Sequence, residues 1–100
     1  MPRSKAAVTP VVWTFSALAD VECIRRYIGN FNSHAARDMA ERIIEAGNGL
    51  ATFPNRGRQV PGTRLRETAF ARPYIIRYRV DPDRVVILRV RHGARRSTSP

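Results

Sequence analysis

The stretch that decides the fold reads Tyr-Ile-Ile-Arg-Tyr-Arg-Val at 74–80, Asp-Pro-Asp at 81–83 and Arg-Val-Val-Ile-Leu-Arg-Val-Arg-His at 84–92. The two longer runs are rich in β-branched and aromatic residues, which is typical of strands, and the Asp-Pro-Asp segment between them is typical of a tight turn. The stretch therefore predicts an antiparallel hairpin with strands at Tyr74–Val80 and Arg84–His92.

Each strand of this hairpin has two different faces, because side chains alternate along a strand. On the first strand, one face holds Tyr74, Ile76, Tyr78 and Val80, and the other holds Ile75, Arg77 and Arg79. On the second strand, one face holds Val86, Leu88, Val90 and His92, and the other holds Val85, Ile87, Arg89 and Arg91.

A covering layer that buries the apolar faces leaves four arginines together on the open face: Arg77, Arg79, Arg89 and Arg91. No acidic residue alternates with them along the two strands, and like charges on neighbouring strands repel. The pattern predicts an anion-binding surface for phosphates or acidic side chains. An ordinary solvated sheet face is the alternative.

The sequence before this hairpin supplies the covering layer. Residues Val11–Phe15 read as a first strand, Ser16 offers an N-cap, and apolar residues at helical spacing predict a helix over Ala17–Ile28. A second helix begins after a cap at Asn32 or Ser33 and ends before Phe53-Pro54. Residues 55–63 read as a loop, and Leu65–Phe70 as a further strand.

The element order is thus β-α-α-β-β-β, which predicts an α+β fold with an antiparallel two-helix hairpin packed on one face of an antiparallel β-sheet. A chain of 100 residues has room for one such domain. We assign a flexible leader to residues 1–10, the domain to 11–96 and a flexible tail to 97–100.

Composition narrows the functional classes. No apolar run is long enough to span a membrane, no signal peptide is recognisable, and the single cysteine, Cys23, excludes an intrachain disulfide, so a reducing cytoplasm is expected. The sequence has no cysteine- and histidine-rich metal motif, P-loop, Rossmann fingerprint or serine elbow, and we expect neither metal nor cofactor.

The charge is large and unevenly distributed. The chain has a formal net charge of +10. Residues 1–50 hold six Lys or Arg against five Asp or Glu, whereas residues 51–100 hold twelve Arg against three Asp or Glu. Arginine suits planar, bidentate contacts with phosphate or carboxylate, so two partner classes follow, nucleic acid and an acidic protein segment.

Several segments together resemble the RelE/ParE toxins of bacterial type II toxin–antitoxin systems. They are the helix segment at 19–28, Ala35-Ala36 followed by Ile43, the Phe-Pro-Asn-Arg-Gly-Arg loop at 53–58, Arg-Leu-Arg-Glu at 64–67, the strand at 73–80 and Ile-Leu-Arg-Val-Arg-His-Gly-Ala-Arg-Arg at 87–96. The match covers residues 11–96, and it is the order and spacing of these segments that is specific.

The resemblance implies the fold above, a bacterial cytoplasm, and a cognate antitoxin that is ParD-like, acidic and partly disordered. The basic residues expected to contact the antitoxin or the target are Arg58, Arg64, Arg66, Arg77, Arg79, Arg89, Arg91 and Arg95. It also implies two alternative activities. RelE-like members cut mRNA on the ribosome without a metal, whereas ParE-like members are not nucleases and several poison DNA gyrase.

Three features favour the ParE-like branch. Ile75 and Thr68 stand where RelE-like nucleases commonly have basic residues, and no tyrosine follows His92. We therefore predict a growth inhibitor that acts on DNA gyrase rather than an enzyme. In the nuclease alternative, phosphate would be bound by Arg66, Arg77, Arg89 and Arg95, with His92 as acid or base. A nucleic-acid-binding module without toxicity is the third possibility.

Overall fold

The computed structural model describes residues 9–93. Its elements, in chain order, are β1 (Val11–Trp13), α1 (Phe15–Gly29), α2 (Ser33–Asn48), a 3₁₀ turn (Gly49–Ala51), β2 (Arg58–Gln59), β3 (Leu65–Ala71), β4 (Tyr74–Val80) and β5 (Val85–His92). Most of the predicted leader, the whole predicted tail and Arg95 lie outside the described residues. The predicted α+β class is confirmed, and β2 is a short strand inside the segment predicted as a loop.

Side-chain caps fix where the two helices begin. Helix α1 starts earlier than predicted, because the cap is Thr14 and not Ser16. Thr14 is extended, its hydroxyl oxygen accepts from the Ala17 N–H at 3.0 Å, and the same hydroxyl donates to the Leu88 carbonyl at 3.1 Å. Helix α2 is capped by Asn32, whose side-chain oxygen accepts from the Ala35 N–H at 2.9 Å. Thr14 thus joins the start of α1 to β5.

The sheet is mixed, which corrects the prediction of an antiparallel sheet. Its strand order is β1-β5-β4-β3-β2, with β1 parallel to β5 and the remaining neighbours antiparallel. The reason is topological. The chain leaves β1 through the helical hairpin, builds β2 to β4 as a meander, and returns in β5 beside β1 and in the same direction. Strand β1 covers only the first part of the β5 edge, since its pairing ends at Trp13 and Ile87.

A bulge in β5 corrects the predicted alternation of that strand. Arg77 pairs with Arg89 and Tyr78 with Ile87, so Leu88 is an extra residue opposite β4. A bulge of this kind reverses the alternation beyond it. As a result Val85, Ile87 and Val90 all face the core, and not the set Val86, Leu88 and Val90 that strict alternation predicts.

The core lies between the helical hairpin and the covered face of the sheet. Its fully buried side chains include Ile43 and Leu50 from the helical layer and Ile76, Tyr78 and Ile87 from the sheet. Backbone hydrogen bonds from Thr9 to Ala51 and from Val85 to Pro10 join the residues before β1 to the same body. Within residues 9–93, no helix is long and apolar enough to cross a membrane.

Candidate functional site

The open face of the sheet, which the helices leave uncovered, carries the predicted arginine cluster. Arg77 and Arg89 are direct cross-strand partners, and Arg91 lies opposite Ile75 two pairs further along the hairpin. Arg79 lies two residues from Arg77 on the same face of β4. The alternation argument therefore placed these four arginines correctly on the open face, and the bulge changes only the faces predicted for Val85 to Leu88.

Acidic side chains from neighbouring elements pair with three of the four arginines of this cluster, which the sequences of the two strands alone do not reveal. Glu67 on β3 lies opposite Arg77, is buried, and accepts hydrogen bonds from the Arg77 Nε and Nη2 atoms at 2.9 and 2.6 Å. Arg79 makes a similar bidentate pair with Asp81 of the β4–β5 turn at 2.7 and 3.0 Å. Hydrogen bonding and the charge of Arg79 lower the pKa of the Asp81 carboxyl.

The third acid comes from the helical layer. Asp20 of α1 reaches the edge of β5 where β1 has ended, and it accepts from the Arg89 Nε and Nη2 atoms at 2.8 and 3.1 Å and from the Val90 N–H at 2.9 Å. Burial of this carboxyl opposes its ionisation, but the hydrogen bonds and the charges of Arg89 and Arg91 outweigh burial and lower the pKa of Asp20. Within residues 9–93, Arg91 is the member of the cluster without an ion pair.

Of the other predicted binding residues, Arg58 lies opposite Glu67 on the open face, whereas Arg66 does not join this surface. Arg66 is the cross-strand partner of Tyr78, which places it on the covered side of β3. Its Nη1 donates to the carbonyls of Gly57 and Asn55 at 2.7 and 3.4 Å, so the guanidinium holds the loop before β2. Arg58 and Arg64 are exposed on and after β2.

The nuclease set is likewise divided between the two sides of the sheet. His92 is paired with Tyr74 on the covered side, and the two rings meet edge to face with centroids 5.3 Å apart. Arg66 also lies on that side, whereas Arg77 and Arg89 lie on the open side and each binds a carboxylate. In the part of the chain that the structure describes, no three His, Cys, Asp or Glu side chains group as a metal site.

A second basic feature, missed by the sequence reasoning, lies at the free edge of β3. Strand β2 pairs only with Arg66 and Glu67, so no described residue forms a neighbouring strand to β3 on that side beyond Glu67. A groove of about 560 Å³ opens there. We name it the arginine groove, and its lining residues are Arg42, Arg56, Arg58, Glu67, Thr68, Ala69, Phe70, Arg72 and Ile75.

The groove was missed because its arginines come from four separate segments: α2, the following loop, β2 and the β3–β4 turn. Arg56 and Arg58 are close in sequence, but sequence spacing does not bring them to Arg42 or Arg72. The sequence signal that could have indicated this groove was its composition, because residues 51–80 hold many arginines and a single acid.

The comparisons with known protein sequences agree on one family. The sequence model of the ParE toxin of the type II toxin–antitoxin system parDE matches residues 11–97. Toxin RelE2 of Caulobacter vibrioides is 51% identical over 85 residues, covering 85% of this chain and 96% of that protein. Putative toxin Y4kP of Sinorhizobium fredii is 40% identical over 82 residues, covering 81% and 84%.

A solved structure from the chromosomal ParDE system of P. aeruginosa has the same fold. It superposes with a TM-score of 0.75 at 24% identity, covering 86% of this chain and 97% of that one. Names from both the RelE and ParE branches occur among these proteins. The arrangement of the site residues therefore has to decide between cleavage of mRNA and inhibition of DNA gyrase.

Proposed function

The chain belongs to the ParE toxin family of type II toxin–antitoxin systems, and from this premise we propose that it is a ParE-like growth inhibitor. In this proposal it binds DNA gyrase in the cytoplasm, cleaves nothing, and is neutralised by a cognate antitoxin that is acidic and partly disordered when free.

The observation that carries the proposal is the division of the candidate nuclease residues. Metal-independent phosphodiester cleavage needs cations and an acid or base converging on one phosphate. Here Arg77 and Arg89 are bound to Glu67 and Asp20 on one side of the sheet. Arg66 and His92 lie on the other side, and Ile75 supplies no charge to the open face. This arrangement favours a protein that binds its target.

The antitoxin surface is proposed from exposed apolar groups on the helical hairpin. Phe15 and Leu18 of α1 are 89% and 46% exposed, and Tyr27 and Phe31 at the hairpin tip are 64% and 75% exposed. An amphipathic segment of the antitoxin would cover such side chains, and its acidic residues would meet a chain of net charge +10. A disordered partner that folds on binding suits this shape.

The target is tested by inducing the full chain without an antitoxin in a bacterial host. We expect DNA synthesis to stop before translation, with SOS induction and filamentation, and we expect the purified chain to inhibit supercoiling by gyrase. An Ile76→Asp variant, which places a charge in the core, serves as the unfolded control. Early arrest of translation with cleaved mRNA would refute the proposal in favour of the nuclease, and normal growth would leave only a binding module.

Neutralisation is tested by coexpressing the antitoxin encoded beside the toxin gene. A Phe15→Ala/Leu18→Ala double variant should remain toxic but escape neutralisation, because it loses apolar area on the antitoxin side alone. The matched control is Phe53→Ala/Phe70→Ala, which removes two exposed rings outside the helical hairpin, one after the 3₁₀ turn and one on β3. Full neutralisation of the Phe15→Ala/Leu18→Ala variant would place the antitoxin on another surface.

A further inference from the structure

Residues 68–71 of β3 lack a neighbouring strand on one side. Strand β2 pairs with Arg66 and Glu67 only, and within residues 9–93 no strand lies beside the rest of β3 there. We call residues 68–71 the free stretch of β3. Its sequence, Thr-Ala-Phe-Ala, carries no charge. A strand edge with unpaired backbone N–H and C=O groups is a template for pairing with another chain, so a protein that stays dispersed has to protect it.

The edge of β5 beyond the short strand β1 is protected by side chains and backbone of the segment that leads into α1. The N–H and the hydroxyl of Thr14 donate to the carbonyls of Ile87 and Leu88, both at 3.1 Å. The Asp20 carboxylate accepts from the Val90 N–H at 2.9 Å. These contacts occupy hydrogen-bonding groups that a further strand would need, so this edge is capped.

The free stretch of β3 is bordered by arginines instead. Arg58 lies at one end of it, opposite Glu67 in the β2–β3 pairing, and Arg72 follows it directly in the chain. Arg42 of α2 and Arg56 complete the four arginines of the arginine groove, which opens along this edge. None of the four makes an ion pair within residues 9–93. Four positive charges therefore border an uncharged strand edge.

Two further features oppose contact at the free stretch. Phe70 would be an apolar contact point, since this residue is 58% exposed. The guanidinium of Arg56 is centred 4.1 Å from the centroid of its ring, which places a charge over that ring. The pairing of the stretch with β4 is also irregular, with a register shift between Thr68 and Ala71. Bulges of this kind are one means by which sheet edges resist pairing.

We propose that the groove arginines keep the chain from pairing with a second copy of itself through the free stretch of β3. Two β3 strands would meet antiparallel about a two-fold axis, so the same patch would face itself. The four arginines of one copy would then lie against the four of the other, and like charges that face one another across an interface are strongly unfavourable. Without these charges, an uncharged strand with an exposed ring is suited to pairing.

Sedimentation velocity tests this role on the purified full chain at low salt, over about a hundredfold range of protein concentration, because dimerisation follows mass action. The wild type should remain monomeric throughout. Arg42→Gln/Arg72→Gln should dimerise, with a dissociation constant at least about tenfold below the lower limit for the wild type, because two like charges per copy leave the interface. Thermal melting at the lowest concentration checks that each variant is folded.

Two control variants separate charge at this edge from other effects. Arg42→Lys/Arg72→Lys keeps both charges and should remain monomeric. Arg37→Gln/Arg84→Gln removes the same charge from exposed positions outside the groove, and it should also remain monomeric. Hydrogen exchange locates the contact, since backbone amides within residues 68–71 should gain protection when Arg42→Gln/Arg72→Gln dimerises.

The wild type provides a test without any substitution. In about 1 M NaCl the screening length falls to about 3 Å, so repulsion between the two sets of arginines should weaken and the wild type should begin to dimerise. A wild type that stays monomeric in this salt would count against charge as the barrier.

Three results with the variants would overturn the inference. The first is a folded Arg42→Gln/Arg72→Gln protein that is monomeric at every concentration. The second is equal dimerisation of Arg37→Gln/Arg84→Gln, which would indicate a general effect of net charge. The third is a dimer in which residues 68–71 gain no protection, which would place the contact on another surface. None of these readouts depends on growth inhibition, so their failure is distinguishable from failure of the proposed toxin function.

Discussion

Tyr78 shows how one side chain connects the core to a loop. Its ring is fully buried, and its hydroxyl donates to the Pro54 carbonyl at 2.7 Å and accepts from the Gly57 N–H at 2.9 Å. Burial raises the pKa of the phenol, although the Gly57 N–H and the charges of Arg66 and Arg56 act in the opposite direction. The hydroxyl therefore satisfies two backbone groups of the loop that precedes β2, and this loop carries the groove arginine Arg56.

Removing the Tyr78 hydroxyl tests how much it contributes to the stability of the fold. We expect Tyr78→Phe to lower the free energy of unfolding by about 1–3 kcal/mol, because a buried N–H and a carbonyl lose their partner. Urea denaturation measures the change. Tyr27→Phe is the matched control, since that ring is 64% exposed, and it should alter stability by less than about 0.5 kcal/mol. Equal effects of the two substitutions would mean that water replaces the Tyr78 hydroxyl at no cost.

The lowered pKa of Asp20 predicts how the stability of the protein depends on pH. Its pKa is lowered in the folded state, so the unfolded chain takes up the proton first as the pH falls through the ordinary value of 3.8. The stabilisation from ionised Asp20 is therefore complete above about pH 5, and it is lost progressively as the pH falls through 3.8 toward the lower pKa of the folded state. We expect Asp20→Asn to be less stable than the wild type at pH 7.

The difference in the free energy of unfolding between the wild type and Asp20→Asn should shrink as the pH approaches 3, because protonated Asp20 resembles asparagine. Urea denaturation at a series of pH values measures it. In an Arg89→Gln background, which removes the main partner of Asp20, the effect of Asp20→Asn at pH 7 should be smaller. A difference that stays constant from pH 7 to 3 would show that the charge of Asp20 contributes nothing to stability.

At the scale of elements, α2 and the sheet approach closely at one glycine. A Cβ atom added to Gly47 would overlap the Trp13 ring and would lie 2.8 Å from the Ile87 Cδ1 atom. Trp13 in turn donates from its indole N–H to the Asn48 side chain at 3.0 Å. The absence of a side chain at Gly47 thus lets the end of α2 rest on β1 and β5.

This contact predicts opposite outcomes for two neighbouring glycines. Gly47→Ala gains about 1 kcal/mol of helix propensity but loses about 1–3 kcal/mol to overpacking, so we expect a net loss of stability. Gly49→Ala should be neutral or stabilising, since its nearest neighbour is an Arg56 nitrogen 3.6 Å away and its φ is −65°. Thermal unfolding compares them. A Gly47→Ala protein as stable as Gly49→Ala would mean that Trp13 moves freely.

The elements also show what a sequence can predict. The strand at Tyr74–Val80 and the two helices follow from local patterns, because apolar periodicity and turn residues are short-range signals. The bulge at Leu88 does not, since Ile87, Leu88 and Val90 are all acceptable core residues and only the pairing with β4 decides among them. For the same reason Asp20 could not be assigned to Arg89, which is 69 residues away in the chain.

Across the whole molecule, the acids and the arginines divide the surface into two kinds of basic region. On the open face, Arg77, Arg79 and Arg89 each hold a carboxylate within 3.1 Å, so this region is close to neutral. The groove arginines make no ion pair within residues 9–93, and with Arg91 they hold much of the excess charge of the described chain. The groove arginines repel one another, which a fold under selection for stability alone would avoid.

The last prediction concerns salt, which screens the repulsion among the groove arginines. The ion pairs have nitrogen–oxygen distances of 2.6–3.2 Å, well inside the screening length of about 10 Å at 0.1 M salt, so salt weakens them less than it weakens repulsion between distant arginines. Raising NaCl from about 0.02 to 0.3 M, across that screening range, should therefore increase the melting temperature by several degrees. In Arg42→Gln/Arg72→Gln the melting temperature should start higher and rise less. In Arg77→Gln, which removes two charged hydrogen bonds to the buried Glu67, it should start lower. A melting temperature that falls with salt would show that the ion pairs dominate and that the groove arginines carry no cost to stability.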